Sequence, residues 1–289
     1  MRDRWRNRIF FGKLVCNKSM KKIIYPPVSV DRQPILVHVP HSSMYVPEWY
    51  REHLILDDGA LNAELVKMTD LFTEDLFEQA SSYGATVFVN KISRLVMDPE
   101  RFPNDEDEPM SAKGMGAIYT KTSTGEMLRA ESFTLDDRQH IMRELYWPYT
   151  DAFRNLVMEQ LDQFGKCLII DGHSFPSKPL PYEAQKLLRP DFCFGYEPFH
   201  EPKGLIENLE EVSKINGFTS ARNQPFSGAY VPTDFYQTSK KVKSIMVEIN
   251  RSLYLDETTG KKSPGYEELN RMLDKIIAIA CSYQITTEI

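Results

Sequence analysis

The sequence predicts an α/β fold in which a mixed, mostly parallel central sheet is flanked by helices. Three observations carry that expectation. Short apolar runs of strand length alternate with segments whose apolar residues recur at helical spacing, the pattern of repeated strand–helix units. One run, Cys167-Leu168-Ile169-Ile170, is apolar without alternation, as in a strand buried on both faces under covering helices. Several runs lead into histidine, aspartate or arginine, and ligands of open α/β sheets gather at the carboxyl ends of strands.

Length and composition bound the function. At 289 residues the chain can bury the core of one large α/β domain. Hydrophobic content of 42% and charged content of 26% are ordinary for a globular protein, and no apolar run reaches membrane-spanning length. A net charge of -6 argues against a nucleic-acid binder. The four cysteines, Cys16, Cys167, Cys193 and Cys281, lack CxxC spacing and read as small core residues of a reducing compartment, the cytoplasm. Residues 1–22 set Arg2, Arg4, Arg6, Arg8, Lys13, Lys18, Lys21 and Lys22 against a single acid, Asp3. They read as a disordered basic extension, with Met20 an alternative start, and residues 23–289 as a single domain.

The elements follow in order. Ile35, Val37 and Val39 alternate as a first strand, and Pro40 ends it because proline cannot donate to a ladder. His41 then sits in the exit turn, while His38 falls inside the strand, where pairing to backbone is the expectation. Residues 61–83 carry Leu61, Leu65, Met68, Leu71, Phe72, Leu76 and Phe77 at helical spacing, with Thr69-Asp70 an interruption that caps a second helix. Residues 85–89 form the second strand. Gly114-Met115-Gly116 and Ser123-Thr124-Gly125 read as turns in a mobile insertion over the sheet edge, and Asn104 to Glu108 as a solvated acidic loop. Thr134 with Asp137 resembles a capping box opening a helix to Gln163, which Pro148 kinks or divides and Gly165 closes.

The central strand follows, with Gly172 breaking it so that His173 lies in a turn. Residues 191–195 give a short strand, 205–216 a helix and 223–230 a loop carrying Tyr230. Residues 244–251 are the last strand. Ser263-Pro264 reads as an N-cap and N1 pair, and Tyr266, Leu269, Leu273, Ile276, Ile277 and Ala280 share one face of the closing helix.

Four residues at these element ends suggest chemistry. His41, His173 and the carboxylate of Asp70 are the donor types of a catalytic zinc with an open position. Glu248 lies between apolar neighbours in a strand, where an unpaired carboxylate is costly, so a catalytic or metal-linked role is preferred to a structural one. Arg94 and Arg101 flank Asp98, and arginine's planar fork suits bidentate carboxylate binding, with surface ion pairs as the alternative. Tyr230 either reaches the site or packs as an exposed aromatic.

The segments Val39-Pro40-His41-Ser42-Ser43, Thr69-Asp70, Ser93-Arg94-Leu95-Val96-Met97-Asp98-Pro99-Glu100-Arg101, Gly114-Met115-Gly116-Ala117-Ile118, Asp171-Gly172-His173-Ser174 and Val247-Glu248-Ile249-Asn250-Arg251-Ser252-Leu253-Tyr254 occur in this order. Together they resemble the N-formylglutamate amidohydrolase family over nearly the whole chain apart from the basic extension. The resemblance implies a zinc carboxypeptidase-like (phosphorylase/hydrolase-like) sheet with one divalent ion at the strand ends, zinc or in its place manganese or cobalt. It implies hydrolysis of the C–N amide bond of a small-molecule N-acyl amino acid, formylglutamate giving formate and glutamate in histidine breakdown. On this resemblance His41, Asp70 and His173 hold the metal, with Glu74 in reserve for Asp70. Glu248 is the general base or acid, Arg94 and Arg101 hold the substrate carboxylate, Arg94 alternatively stabilises the oxyanion, and Tyr230 is a loop contact.

The chain departs from the family at one place. Related sequences usually carry Asp-Leu-Asn-Arg where this one has Asp98-Pro99-Glu100-Arg101. A negative charge then stands beside the arginine pair, so either Glu100 turns away or the substrate is not formylglutamate. Two other readings stay open: a zinc carboxypeptidase-like peptidase, and a non-catalytic sensor of an acidic metabolite.

Overall fold

The computed structural model describes residues 24–28, 31–184 and 187–283. The basic extension and Cys16 lie outside the described residues. Seven strands form one sheet: β1 (Ile24–Tyr25), β2 (Ile35–Val39), β3 (Thr86–Val89), β4 (Cys167–Phe175), β5 (Phe192–Gly195), β6 (Ser220–Arg222) and β7 (Val242–Asn250). Their order is β1-β3-β2-β4-β7-β5-β6. The pairs β3–β2, β2–β4, β4–β7 and β5–β6 are parallel, and β1–β3 and β7–β5 antiparallel. The sheet is therefore mixed and mostly parallel. The helices are α1 (Glu48–Arg51), α2 (Asp58–Met68), α3 (Thr73–Phe77), α4 (Leu135–Ile141), α5 (Trp147–Phe164), α6 (Leu205–Ile215) and α7 (Tyr266–Ser282). Among the described residues, none of the helices is long and apolar enough to cross a membrane.

Alternation along the strands divides the interior in two. Ile35, Val37, Leu168, Ile170, Ile245 and Val247 enter one core with α3, α6 and α7, through residues such as Phe77, Leu209 and Leu273. Leu36, Cys167, Ile169 and Val242 enter the other with α2 and α5, through Leu65, Phe153 and Val157. Carried on at period two, this alternation puts His38, Asp171, His173 and Glu248 on the second face, near the strands' carboxyl ends. The strands following β2 in sequence, β3 and β4, lie on opposite sides of it. The winding reverses there, and a crevice opens at such a point.

Several local expectations change. β4 runs through Gly172 to Phe175, so His173 lies in a strand and not in a turn. Gly172 is needed for close approach: a Cβ there would meet Cε2 of the buried Phe77 ring at 2.7 Å. The helix opened by the Thr134–Asp137 capping box is divided, α4 passing through a π-turn at Met142–Tyr146 into α5, with Pro148 in its first turn. Proline has no amide to return to the preceding turn, and the wider π-turn just before it accommodates the lost bond and the ring. The final helix begins at Tyr266 with Gly265 at its N-cap, two residues after the expected Ser263. The segment expected as a mobile insertion is instead packed, with Met115, Ala117, Ile118 and Tyr119 buried in the second core. In the acidic run, Glu108 is buried and caps a short 3-10 turn by accepting from Met110 N.

Candidate active site

The carboxyl ends of β2, β4 and β7 bring the predicted residues together. Pro40 closes β2, and Asn90 fixes the turn beyond it by donating its side-chain amide to Pro40 O at 3.0 Å. His41 follows. Asp70 arrives from the link between α2 and α3, where its backbone N–H donates to His41 O at 2.9 Å. The expected N-cap role of Thr69-Asp70 is not what the fold uses. Phe72, with φ +64, caps α3 without a side-chain bond, and the Asp70 carboxylate turns inward. His173 and Glu248 are direct neighbours on β4 and β7.

Three donor atoms converge. Nδ1 of His41 lies 3.3 Å from Nδ1 of His173, which is 3.3 Å from Asp70 Oδ2, and His41 Nδ1 lies 3.8 Å from that oxygen. The far nitrogen of each ring faces a carboxylate: His41 Nε2 is 2.9 Å from Asp98 Oδ1, and His173 Nε2 is 3.2 Å from Asp171 Oδ1. Asp98 accepts from His41 Nε2, whereas His173 Nε2 is buried without a hydrogen-bond partner, and in the absence of a metal a proton on His173 Nδ1 bridges to Asp70. Either that proton or a divalent cation among the three donor atoms offsets their mutual repulsion. Ligand atoms about 2.0–2.1 Å from one tetrahedral ion stand roughly 3.3 Å apart, so the set fits a divalent metal of the zinc type. Asp70 Oδ1 is held from behind by Arg251 at 2.7 Å.

The electrostatics agree with the geometry. Burial opposes charge on His173, but Glu100 and Asp171 outweigh it and raise its pKa well above the ordinary value. Burial and the nearby Arg94 push His41 the other way. Burial opposes ionisation of Asp70, yet the His173 hydrogen bond and the Arg251 charge bring it down to about 2. Burial, aided by the Asp70 charge, outweighs His173, Arg251 and Arg94 and pushes Glu248 up to about 8. Its Oε2 is buried without a hydrogen-bond partner, as a group held ready for a proton would be.

Arg94 donates Nε to the Tyr119 hydroxyl at 3.1 Å and one Nη to Asp98 at 2.9 Å, while Arg101 Nε lies 3.6 Å from Asp98 and has no hydrogen-bond partner. Asp98 thus ties His41 to both arginines. Its pKa lies well below the usual range because His41, Arg94 and Arg101 outweigh burial. Tyr230 lines the cavity half-buried, its backbone N–H on Asp171 Oδ2 at 3.0 Å and its ring stacked on His38 at 4.7 Å. Glu74 is not among the converging donors, since its carboxylate accepts from Tyr25 OH and Lys91 Nζ.

Sequence reasoning missed the supporting residues. Asp98, Asp171 and Arg251 were seen only as parts of motifs. Spacing held a signal for Asp171, because two residues before His173 on a strand is the same face. His38 was expected to pair with backbone. Instead Nδ1 faces Asp171 Oδ1 at 3.0 Å and Nε2 faces the Tyr149 hydroxyl at 2.9 Å. Glu100 does not turn out to solvent. Its Oε1 lies 3.2 Å from His173 Nε2 and 3.5 Å from His38 Nδ1, and its Oε2 3.7 Å from His41 Nε2. The whole arrangement opens onto a cavity of about 760 Å³.

Comparison with known proteins places the chain in a family. A family model described as N-formylglutamate amidohydrolase matches residues 33–255. An N-formylglutamate deformylase of Pseudomonas putida is 27% identical over 232 residues, covering 78% of this chain and 84% of the relative. The crystal structure of an N-formylglutamate amidohydrolase from Ralstonia eutropha JMP134 superposes with a TM-score of 0.78 at 21% identity, over 90% of this chain and 96% of that one. A gene product from Agrobacterium tumefaciens gives a TM-score of 0.64 at 18% identity, over 89% and 96%.

Proposed function

The chain belongs to the N-formylglutamate amidohydrolase family, and from that premise we propose that it is a zinc-dependent hydrolase of the amide bond in N-acyl amino acids such as N-formylglutamate. The observation that carries the metal part of this reading is the convergence of His41 Nδ1, His173 Nδ1 and Asp70 Oδ2, with His41 Nε2 hydrogen-bonded to Asp98 behind it. The relatives named for formylglutamate supply the bond.

His41, Asp70 and His173 would hold the ion. A divalent metal in such a site polarises an amide carbonyl and lowers the pKa of water. The chain's own groups do the rest. Glu248 accepts a proton from the attacking water and delivers it to the leaving nitrogen as the C–N bond breaks, giving the free acid and the free amine. Arg94, held in place by Asp98 and Tyr119, faces the charge that grows on the carbonyl oxygen or shares the substrate carboxylate. Arg101 has hydrogen-bonding capacity to spare and receives the carboxylate. Tyr230 closes the site beside His38.

In this reading residues 23–289 work as one amidohydrolase domain on a small molecule, in the cytoplasm and in histidine breakdown. The test is to purify the protein, measure bound zinc, manganese and cobalt, and assay a panel of N-formyl and N-acetyl amino acids for acid release. Metal-loaded protein that cleaves none of them would remove the reading.

A further inference from the structure

A second cluster of metal-donor side chains lies beside the first, on the other side of the His173 ring. His38, Glu100 and Asp171 each offer one ligand atom within 4.8 Å of the others. Nδ1 of His38 lies 3.0 Å from Asp171 Oδ1 and 3.5 Å from Glu100 Oε1. His173 Nε2, the ring nitrogen that does not face His41 and Asp70, lies 3.2 Å from each of the same two oxygens. Such spacings match the roughly 3.3 Å edge of a tetrahedron of donors about 2.0–2.1 Å from one ion. Two imidazoles and two carboxylates also carry the two negative charges that one divalent ion neutralises.

Hydrogen bonding leaves this cluster incomplete. Among the described residues, His173 Nε2 and Glu100 Oε1 are buried without a hydrogen-bond partner, and the His173 side chain is only 6% exposed. The two atoms are near enough to bond each other and are not aligned to do so. Buried polar atoms left in this way are costly, and a cation among them satisfies both at once.

The other atoms of the donors are already held. Asp171 Oδ2 accepts from the Tyr230 N–H at 3.0 Å, which leaves Oδ1 to the cluster. His38 Nε2 faces the Tyr149 hydroxyl at 2.9 Å, a partner that can take the Nε2 proton and so free the Nδ1 lone pair. Glu100, Asp171 and His173 line the cavity, and the Glu100 side chain is 15% exposed, so an ion has a path in from the open side.

We propose that His38, Glu100, Asp171 and Nε2 of His173 form a second divalent-cation site, sharing the His173 ring with the one at His41 and Asp70. This goes beyond the amidohydrolase reading and uses three donors that reading leaves idle. With both ions in place His173 bridges them, and the ring's N–H proton leaves to solvent. Filling the second site breaks the His38–Asp171 hydrogen bond and sets two cations on one ring, so it binds more weakly than the first and is emptied by dialysis.

The test titrates dialysed protein with zinc by equilibrium dialysis and soaks crystals in the same salt. Wild type should keep about one equivalent after dialysis and take up a second as free zinc rises. Anomalous scattering should place that second ion about 2.0–2.2 Å from the four donors. Glu100→Gln, which keeps the side chain's shape, should weaken the second step by about tenfold or more and leave the first equivalent in place, since even an outer-shell loss costs that much. His38→Gln should do the same. A second step that both variants leave unchanged puts the ion elsewhere on the surface and overturns the inference, as does a zinc-soaked crystal with no anomalous peak among the four donors. A wild type without the tight equivalent overturns the metal part of the amidohydrolase reading instead, and the peak beside His38 and Glu100 then still decides this site.

Discussion

His173 and Glu248 are paired across adjacent parallel strands, residue against residue in the β4–β7 ladder, with both side chains on the face that opens into the cavity. A proposed metal ligand and a proposed base are thus set by one backbone register, on elements that cannot drift apart without breaking the sheet. Glu248→Gln keeps the shape and removes the proton acceptor. It should retain bound zinc and lose about 10²- to 10⁴-fold in kcat, the range supplied by a positioned general base. Zinc content and kcat measured on one preparation check this, and full activity in the variant would remove Glu248 from the mechanism.

His41 reaches the same point from a different strand end. His41→Ala or His173→Ala takes one corner from a three-donor site and leaves two donors for the metal. Elemental analysis after dialysis should find bound zinc falling from about one equivalent in wild type toward none in either variant, since tetrahedral sites need their protein donors together. Unchanged stoichiometry in His173→Ala would exclude that imidazole as a ligand.

Asp98 touches no metal in this scheme, yet His41, Arg94, Arg101 and Tyr119 all converge on it. Asp98→Asn should lower zinc affinity by about 10- to 100-fold, the usual cost of losing the carboxylate behind a ligating histidine. It should also raise KM, because the arginines lose their anchor. Competition against a chromogenic chelator reads the first effect and steady-state kinetics the second. A variant with normal affinity and KM would make Asp98 a packing residue.

The residues at strand ends were legible in the sequence because chain breaks leave marks. Pro40 ends a strand, and the polar Asp171 and His173 follow an apolar run, so His41 and His173 stood out one at a time. What joins them is tertiary. Nothing local says that Asp70, expected as a helix cap, turns its carboxylate into the site, because Phe72 takes the cap in a left-handed conformation. Gly172 misled for a related reason. It reads as a breaker, but the requirement it meets is the Phe77 ring pressed against a continuous strand. Asp98 and Glu100 were legible as charges and not as partners, since their roles depend on histidines from two other strands.

The pH dependence of the metal-free protein follows from the raised groups. Burial lifts Glu248 from 4.5 to about 8, and His173 is raised as well. In both cases the folded state holds its proton more tightly than the unfolded state does. Stability is then fully present below the unfolded pKa values and is lost as pH rises through the folded ones, on the order of a few kcal/mol for a shift of this size. Metal-free protein should accordingly unfold at lower urea concentration at pH 8 than at pH 5, and Glu248→Gln should flatten that slope. Asp70, lowered to about 2, acts in the opposite sense at more acid pH, with stability lost as pH falls below about 4. A metal-free wild type that gains stability from pH 5 to pH 8 would contradict the assignment.

Gly172 links the fold to the site most directly. A methyl group there would stand 2.7 Å from Phe77 Cε2 and 2.8 Å from Cδ2, and Phe77 is fully buried among Leu76, Ala80 and the strand residues of the first core. The ring has no free space to move into, so the strain falls on β4 itself. Gly172→Ala should cost about 1–3 kcal/mol, the typical penalty of overpacking, measured by chemical denaturation. Because His173 is the next residue, the same shift should weaken zinc binding even though no donor is removed. Adding Phe77→Leu makes room for the methyl group, and the double variant should regain part of both losses. If Gly172→Ala lost stability but kept its zinc affinity, the strand would be absorbing the strain on the side away from the metal donors, and the register argued for His173 and Glu248 would be stiffer than this packing implies.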